Sequence, residues 1–167
     1  MNKVMLISAL TVALFGCQTT GTSSSSTAEL SSGYNSLTGE LLTSALQAWE
    51  QKVDTDTLSL ISDIEQVTGT TSEQALGGVG SLLALAQGGL NSSQNSELSQ
   101  LVPGYSALEN SGLSSVITNN ASLERAFTQL GLSPSMIDTF SPLLLDALQA
   151  KGASSGLLQS LSSFWGE

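Results

Sequence analysis

The chain has 167 residues, with 14 acidic and 4 basic side chains, a net charge of −10 and no histidine. Lys52, Arg125 and Lys151 are too scattered to build the basic patch that nucleic acid requires, and they cannot hold an anionic membrane surface by charge. Once a leader is set aside, the length suits one small domain, rich in Ser, Leu and Gly and low in charge.

Residues 1–16 read as a targeting segment. Lys3 supplies the positive start, and Val4 to Phe15 supply an apolar run too short for a stable span. Leu14-Phe-Gly-Cys17 is similar to a bacterial lipobox. That resemblance implies cleavage between Gly16 and Cys17 and lipidation of Cys17, so the membrane is a partner through an acyl anchor. The other reading is an ordinary secretory signal with an incidental cysteine, but Cys17 is the single cysteine of the chain and sits where a lipobox needs it. Each acyl CH₂ buried in a bilayer contributes about 0.8 kcal/mol, so several chains hold firmly. Gln18 follows the cysteine. Lipoproteins retained at the inner membrane resemble one another in carrying Asp there, so Gln18 implies passage to the outer membrane. With Cys17 used, no disulfide and no catalytic thiol remain.

Residues 17–36 read as a lipidated Ser/Thr-rich tether, because Thr-Ser-Ser-Ser-Ser-Thr lacks the apolar groups that offset chain entropy. A helical pattern begins at Leu37, with Leu37, Leu41, Ala45, Trp49 and Val53 four apart. Asp54-Thr-Asp56 breaks it and caps the next helix, which Leu58, Ile61, Ile64 and Val67 define and Gly69 ends.

Ser72 to Gly89 is the organising stretch. At about 100° per residue, Ala75, Leu76, Val79, Leu82, Leu83 and Ala86 share one arc. Gly77, Gly80, Ser81, Ala84 and Gly88 share the opposite one. Thr71 with Gln74, or Ser72 alone, suits the start, and Gly88-Gly89 suits a left-handed end. Each internal glycine costs about 1 kcal/mol relative to Ala. Burial on both sides would offset that cost, since small residues admit a second helix closely. The plainer packing leaves the small face in water. A membrane span needs roughly 20 apolar residues, more than this stretch offers.

Asn91 to Ser96 reads as a polar loop, and Leu98, Leu101 and Val102 as a short helix that Pro103-Gly104 stops. Tyr105 to Ile117 suits short, frayed helices. Leu123, Ala126, Phe127 and Leu130 form a helix closed by Gly131. Ser133-Pro134 suits the start of another, carried by Met136, Ile137, Phe140, Leu143, Leu144, Ala147 and Leu148. Pro142 should kink it or restart it with Ser141 as cap, and Lys151-Gly152 suits its end. Leu157, Leu158, Leu161 and Phe164 give a last helix. A faint repeat places Ser72 on Ser133, Leu76 on Ile137 and Val79 on Phe140, although amphipathic helices resemble one another by default.

Two segments, Val67-Thr-Gly-Thr-Thr-Ser-Glu-Gln-Ala-Leu-Gly-Gly-Val-Gly-Ser-Leu-Leu83 and Phe127-Thr-Gln-Leu-Gly-Leu-Ser-Pro-Ser-Met-Ile137, resemble the VcgC/VcgE-like bacterial proteins. With the helix that follows the second, they cover most of the region from Leu58 to Leu161. The resemblance supports the extent of the domain and carries no chemistry.

Catalytic and metal constellations are thin. Asp54, Asp56, Asp63 and Glu65 are the densest acidic group, yet a calcium loop would place Leu58 and Ser59 where an oxygen ligand and a glycine belong. They read as helix caps and a solvated face. Zinc lacks ligands. A catalytic serine lacks a histidine, and neither Lys52 nor Lys151 lies in an apolar run that would depress its pKa. Gly77-Gly-Val-Gly80 follows no strand and lacks the Lys-Ser/Thr ending of a phosphate loop.

The expectation is therefore an all-α bundle of about six to eight short helices around a central Gly-rich helix, spanning 37–167. No enzyme activity, cofactor or metal is expected. Two functions remain: a lipid-anchored interaction or scaffolding module of the cell envelope, or a carrier for a small apolar ligand or lipid.

Overall fold

Short polar side chains set most of the helix starts. The computed structural model describes the backbone of residues 28–166 and the side chains of residues 39–166. The expected signal peptide at 1–16, Cys17 and the tether as far as residue 27 lie outside the described residues. Within them the chain is all α, with no strand.

Helix α1 spans Ala28–Glu50. It starts well before Leu37, so residues 28–36 are helical where a tether was expected. Leu30, Tyr34, Leu37 and Leu41 recur at helical spacing in the sequence and extend the apolar stripe backwards. Helix α2, Thr55–Thr68, starts at Asp54, whose carboxylate accepts the Thr57 N–H at 2.9 Å, and ends at Gly69. Its buried face is Thr57, Ile61 and Ile64, with Leu60 partly covered. Leu58 and Val67, expected on that face, are 50% and 63% exposed. The inward stripe runs through 57, 61 and 64; Leu58 points about 100° aside from Thr57, and Val67 points about 60° beyond Ile64 on the other flank.

Helix α3, Ser72–Gly89, starts on a complete capping box. The Thr71 hydroxyl accepts the Gln74 N–H at 3.3 Å, and the Gln74 side-chain oxygen accepts the Thr71 N–H at 3.1 Å. The helix runs through both terminal glycines and closes at Leu90 in extended conformation. The expected left-handed ending at Gly88-Gly89 is thus corrected. Gly89 serves close approach instead: a Cβ there would lie 2.4 Å from the Phe164 ring. Helix α4, Ser92–Leu101, begins at once on a second capping box, Asn91 with Gln94. The polar loop expected at Asn91 to Ser96 is therefore its cap and first turns, because Asn at the cap and Gln three residues on satisfy the free N–H groups.

Helices α5 (Tyr105–Asn110) and α6 (Leu113–Val116) are short, as their sequence suggested. Helix α7, Asn120–Gln129, is capped by Asn119. A 3-10 turn at Pro134–Met136 leads into α8, Ile137–Ala150. Ser133 stands at the cap position but makes no cap hydrogen bond; its hydroxyl pairs with that of Ser135 at 2.8 Å. Pro142 sits inside α8 without restarting it, and the Ser141 hydroxyl donates back to the Ile137 carbonyl at 2.8 Å. Helix α9, Ser155–Trp165, is capped by Ser154.

The bundle closes around α3. Every residue from Ala75 to Ala86 is buried. Helices α1, α2, α5, α6, α7, α8 and α9 all pack on it. The glycines are the contact points. A Cβ on Gly77 would fall 2.6 Å from Leu130, one on Gly78 2.5 Å from Phe140, and one on Gly80 2.7 Å from Leu46 and 3.2 Å from Trp49. Burial on both sides is therefore the packing adopted. Ser81 is fully buried and donates to the Gly77 carbonyl at 2.8 Å. From the last helix, the Trp165 indole N–H reaches the Leu82 carbonyl at 3.0 Å.

The faint repeat does not extend to the helix starts: α3 opens on a capping box and α8 on a 3-10 turn. Helix α2 packs on α3, while α7 also packs on α3 and meets α8 through the Phe127 ring, edge-on to Phe140 at 5.5 Å.

Candidate functional site

Among the described residues the interior is closely filled. A void among Thr57, Leu60, Val79, Leu83, Val102, Leu144 and Leu148 has a volume of about 10 Å³, at most the space of one water. One end of the core is polar. The Tyr105 hydroxyl donates to Asn95 Oδ1 at 2.7 Å, and the Asn95 amide donates to the Leu90 and Gln87 carbonyls at 3.1 and 3.3 Å. This joins the end of α3 to α4 and α5. Burial pushes the Tyr105 phenol well above its ordinary value, and Glu109 adds to the shift. The Gln87 side-chain amide and the Trp49 indole N–H are buried without a hydrogen-bond partner. Each costs stability relative to a paired group. Trp49 is held beneath Gly104, whose φ of +82° and absent side chain let the indole and Lys52 approach.

A cleft lies on the surface where α1, α3 and α7 meet, with a volume of about 300 Å³. Leu46 of α1, Leu76 of α3 and Leu130 just past α7 form its apolar floor. Glu50 and Glu73 stand on its rim, exposed, with Thr43 and Gln47 beside them. Gln74 fixes one wall. While its oxygen closes the capping box, its amide donates to the Leu130 carbonyl at 3.0 Å, bolting the start of α3 to the end of α7. Gln94 repeats the device at α4, donating to the Gly156 carbonyl at 3.2 Å and to Ser160 Oγ at 2.7 Å in α9. Two more open grooves, of about 510 and 560 Å³, run between α8 and α9 and between α1 and α5.

Of the residues singled out in the sequence, the fold brings Asp54 and Lys151 within electrostatic reach of each other. Cys17, the expected lipidation site, lies outside the described residues. In the acidic group, Asp54 is engaged as the α2 cap, and its carboxyl is held below the ordinary value chiefly by hydrogen bonds from Thr57. Asp56, Asp63 and Glu65 lie along α2. Among the described residues no group of three or more acidic, His or Cys side chains is placed to hold a metal ion. Lys151 donates to the Leu101 carbonyl at 3.3 Å. Gly77 to Gly80 lies within the buried run of α3. The cleft was missed in sequence. Its one readable trace is Gln74, whose second role across to Leu130 has no local signature.

A family model described as protein of unknown function VcgC/VcgE matches residues 16–162. The chain belongs to this family. The match takes in the whole bundle down to α9 and extends the two resembling segments at both ends. The family description names no activity, substrate or ligand. No curated protein and no solved structure matches the chain. No helix among the described residues is long and apolar enough to cross a membrane.

Proposed function

We propose that this VcgC/VcgE-family protein is a lipid-anchored interaction module of the cell envelope and not an enzyme, held at the outer membrane through Cys17. The observation that supports it most is the filled interior. Helix α3 is buried at each position from Ala75 to Ala86 and occupies the space that a carried apolar ligand would need. What such a body offers is its surface. The lipobox at Leu14 to Cys17 supports the anchor, and Gln18 in place of Asp supports sorting outward. The carrier reading draws less support from the described residues, where the void within the core, of about 10 Å³, admits no acyl chain and the larger clefts are open at the surface. Two experiments test the reading. Fatty-acid labelling should mark the natural protein and not Cys17→Ser; label that persists on the variant defeats the anchor. Crosslinking in intact cells, read by mass spectrometry for proteins and lipids, should return proteins. Lipids alone would favour a carrier.

A further inference from the structure

Two of the glycines that let α3 sit at the centre also shape the surface. Gly77 leaves room for Leu130, and Gly80 leaves room for Leu46. These leucines, with Leu76, pave the α1–α3–α7 cleft. Leu46 and Leu76 keep only 8% and 7% of their surface exposed, so the floor is packed into the core and does not flap. Gln74 holds Leu130 by its backbone carbonyl. Above this rigid apolar floor stand two carboxylates, Glu50 and Glu73, from different helices. Among the described residues neither has an ion-pair or hydrogen-bond partner, and no basic side chain lines the cleft.

We propose that this cleft docks a segment of a partner protein that presents a Lys or Arg side chain beside an aliphatic one. The proposal rests on the reading of the protein as an interaction module and names its partner's chemistry. The aliphatic group would sit on Leu46, Leu76 and Leu130, and the cation would lie between Glu50 and Glu73. The volume of about 300 Å³ is at the small end for a binding cleft and suits side chains of one segment, not a folded surface. Charge selects the occupant. A second copy of this chain brings the same net charge of −10 and would set carboxylate against carboxylate. Anionic lipid headgroups and nucleic acid are repelled by the same rim. A basic partner is steered toward it, and the benefit fades with salt.

The test uses a synthetic helical peptide of Leu and Lys as probe, a Leu and Glu peptide of the same pattern as control, and the full chain in NMR titrations. The Leu/Lys peptide should shift the amides of Leu46, Gln47, Glu73, Leu76 and Leu130 saturably, and the control should not. Glu50→Gln with Glu73→Gln, both exposed positions, should leave the spectrum folded and weaken binding about threefold to tenfold. Equal binding by the double variant, or shifts spread over the acidic surface, overturns the proposal. In cells, a photocrosslinking residue at Gln47 is compared with one at Val67, which is 63% exposed on α2. Capture at Gln47 through a Lys- or Arg-containing segment, lost in the double variant, supports it. Capture at Val67 alone overturns the cleft and leaves the interaction module standing. Capture of no protein at either position overturns the module itself.

Discussion

Helices α3 and α8 carry similar apolar patterns and pack on each other, yet they live in different surroundings. Helix α8 is one-sided. Ile137, Phe140, Ser141, Leu144 and Leu148 are buried, while Asp138, Asp146 and Gln149 face water. Helix α3 has no wet side between Ala75 and Ala86. The difference lies in what occupies the arc opposite the large side chains. In α8 that arc carries charge and amide groups, which keep neighbours away and remain hydrated. In α3 it carries Gly77, Gly80, Ser81 and Ala84, and neighbours close over it. One of their contacts shows the same logic, because Phe140 of α8 occupies the space that a side chain on Gly78 of α3 would take. Glycine inside a helix is unfavourable by propensity. Here that loss is offset by the dispersion and apolar burial that close approach permits.

The largest effect is expected at this junction. Phe140→Ala removes a fully buried ring that packs on Gly78 and edge-on to Phe127. It should destabilise by about 3–5 kcal/mol in denaturant melts. A loss below about 1 kcal/mol would mean that α8 is not packed on the centre as described. Next is Ser81→Leu, which inserts a large side chain where none is exposed. Overpacking should cost about 1–3 kcal/mol, and a neutral result would place that face in water.

The comparison extends to α2, which packs on both helices. Asp54→Ala removes the cap of α2 and should cost about 1 kcal/mol at neutral pH. The folded carboxyl titrates below its ordinary value of 3.8. Its contribution is therefore full above that value and is lost as pH falls through the lowered one. The natural protein and the variant should converge in stability in acid. A gap that persists there would show that the loss does not come from the charged cap.

Local signals made most of the helices readable. Asp54, Thr71 with Gln74, Gly69 and Gly131 stand where the helix ends are, because caps involve neighbours in sequence. The two-sided burial of α3 was legible through its price in propensity. Errors arose where a residue type has two uses. Gly88-Gly89 suited a left-handed stop, but Gly89 admits the Phe164 ring from a helix far along the chain. Asn91 to Ser96 looked like a loop because polar residues serve both turns and first turns. Leu58 and Val67 looked inward because one step of register about a helix is hard to fix from short apolar runs. Of the cleft only Gln74 was legible, and only as part of a helix cap. Glu50, Glu73 and Leu130 come from three separate elements, and nothing local in any of them announces the others.

The smallest effect is the most direct test of the central claim, that α3 is made of small residues because neighbours touch it. Gly80 and Gly88 lie in the same helix. A Cβ on Gly80 would meet Leu46 at 2.7 Å and Trp49 at 3.2 Å, while one on Gly88 would meet only the Ser114 carbonyl, at 4.0 Å. Alanine should therefore stabilise at Gly88 by up to about 1 kcal/mol and bring no gain, or a loss, at Gly80. Paired denaturant melts of Gly80→Ala and Gly88→Ala read the difference. Equal gains at both positions would contradict the account, since the small face of α3 would then be open to solvent along its whole length.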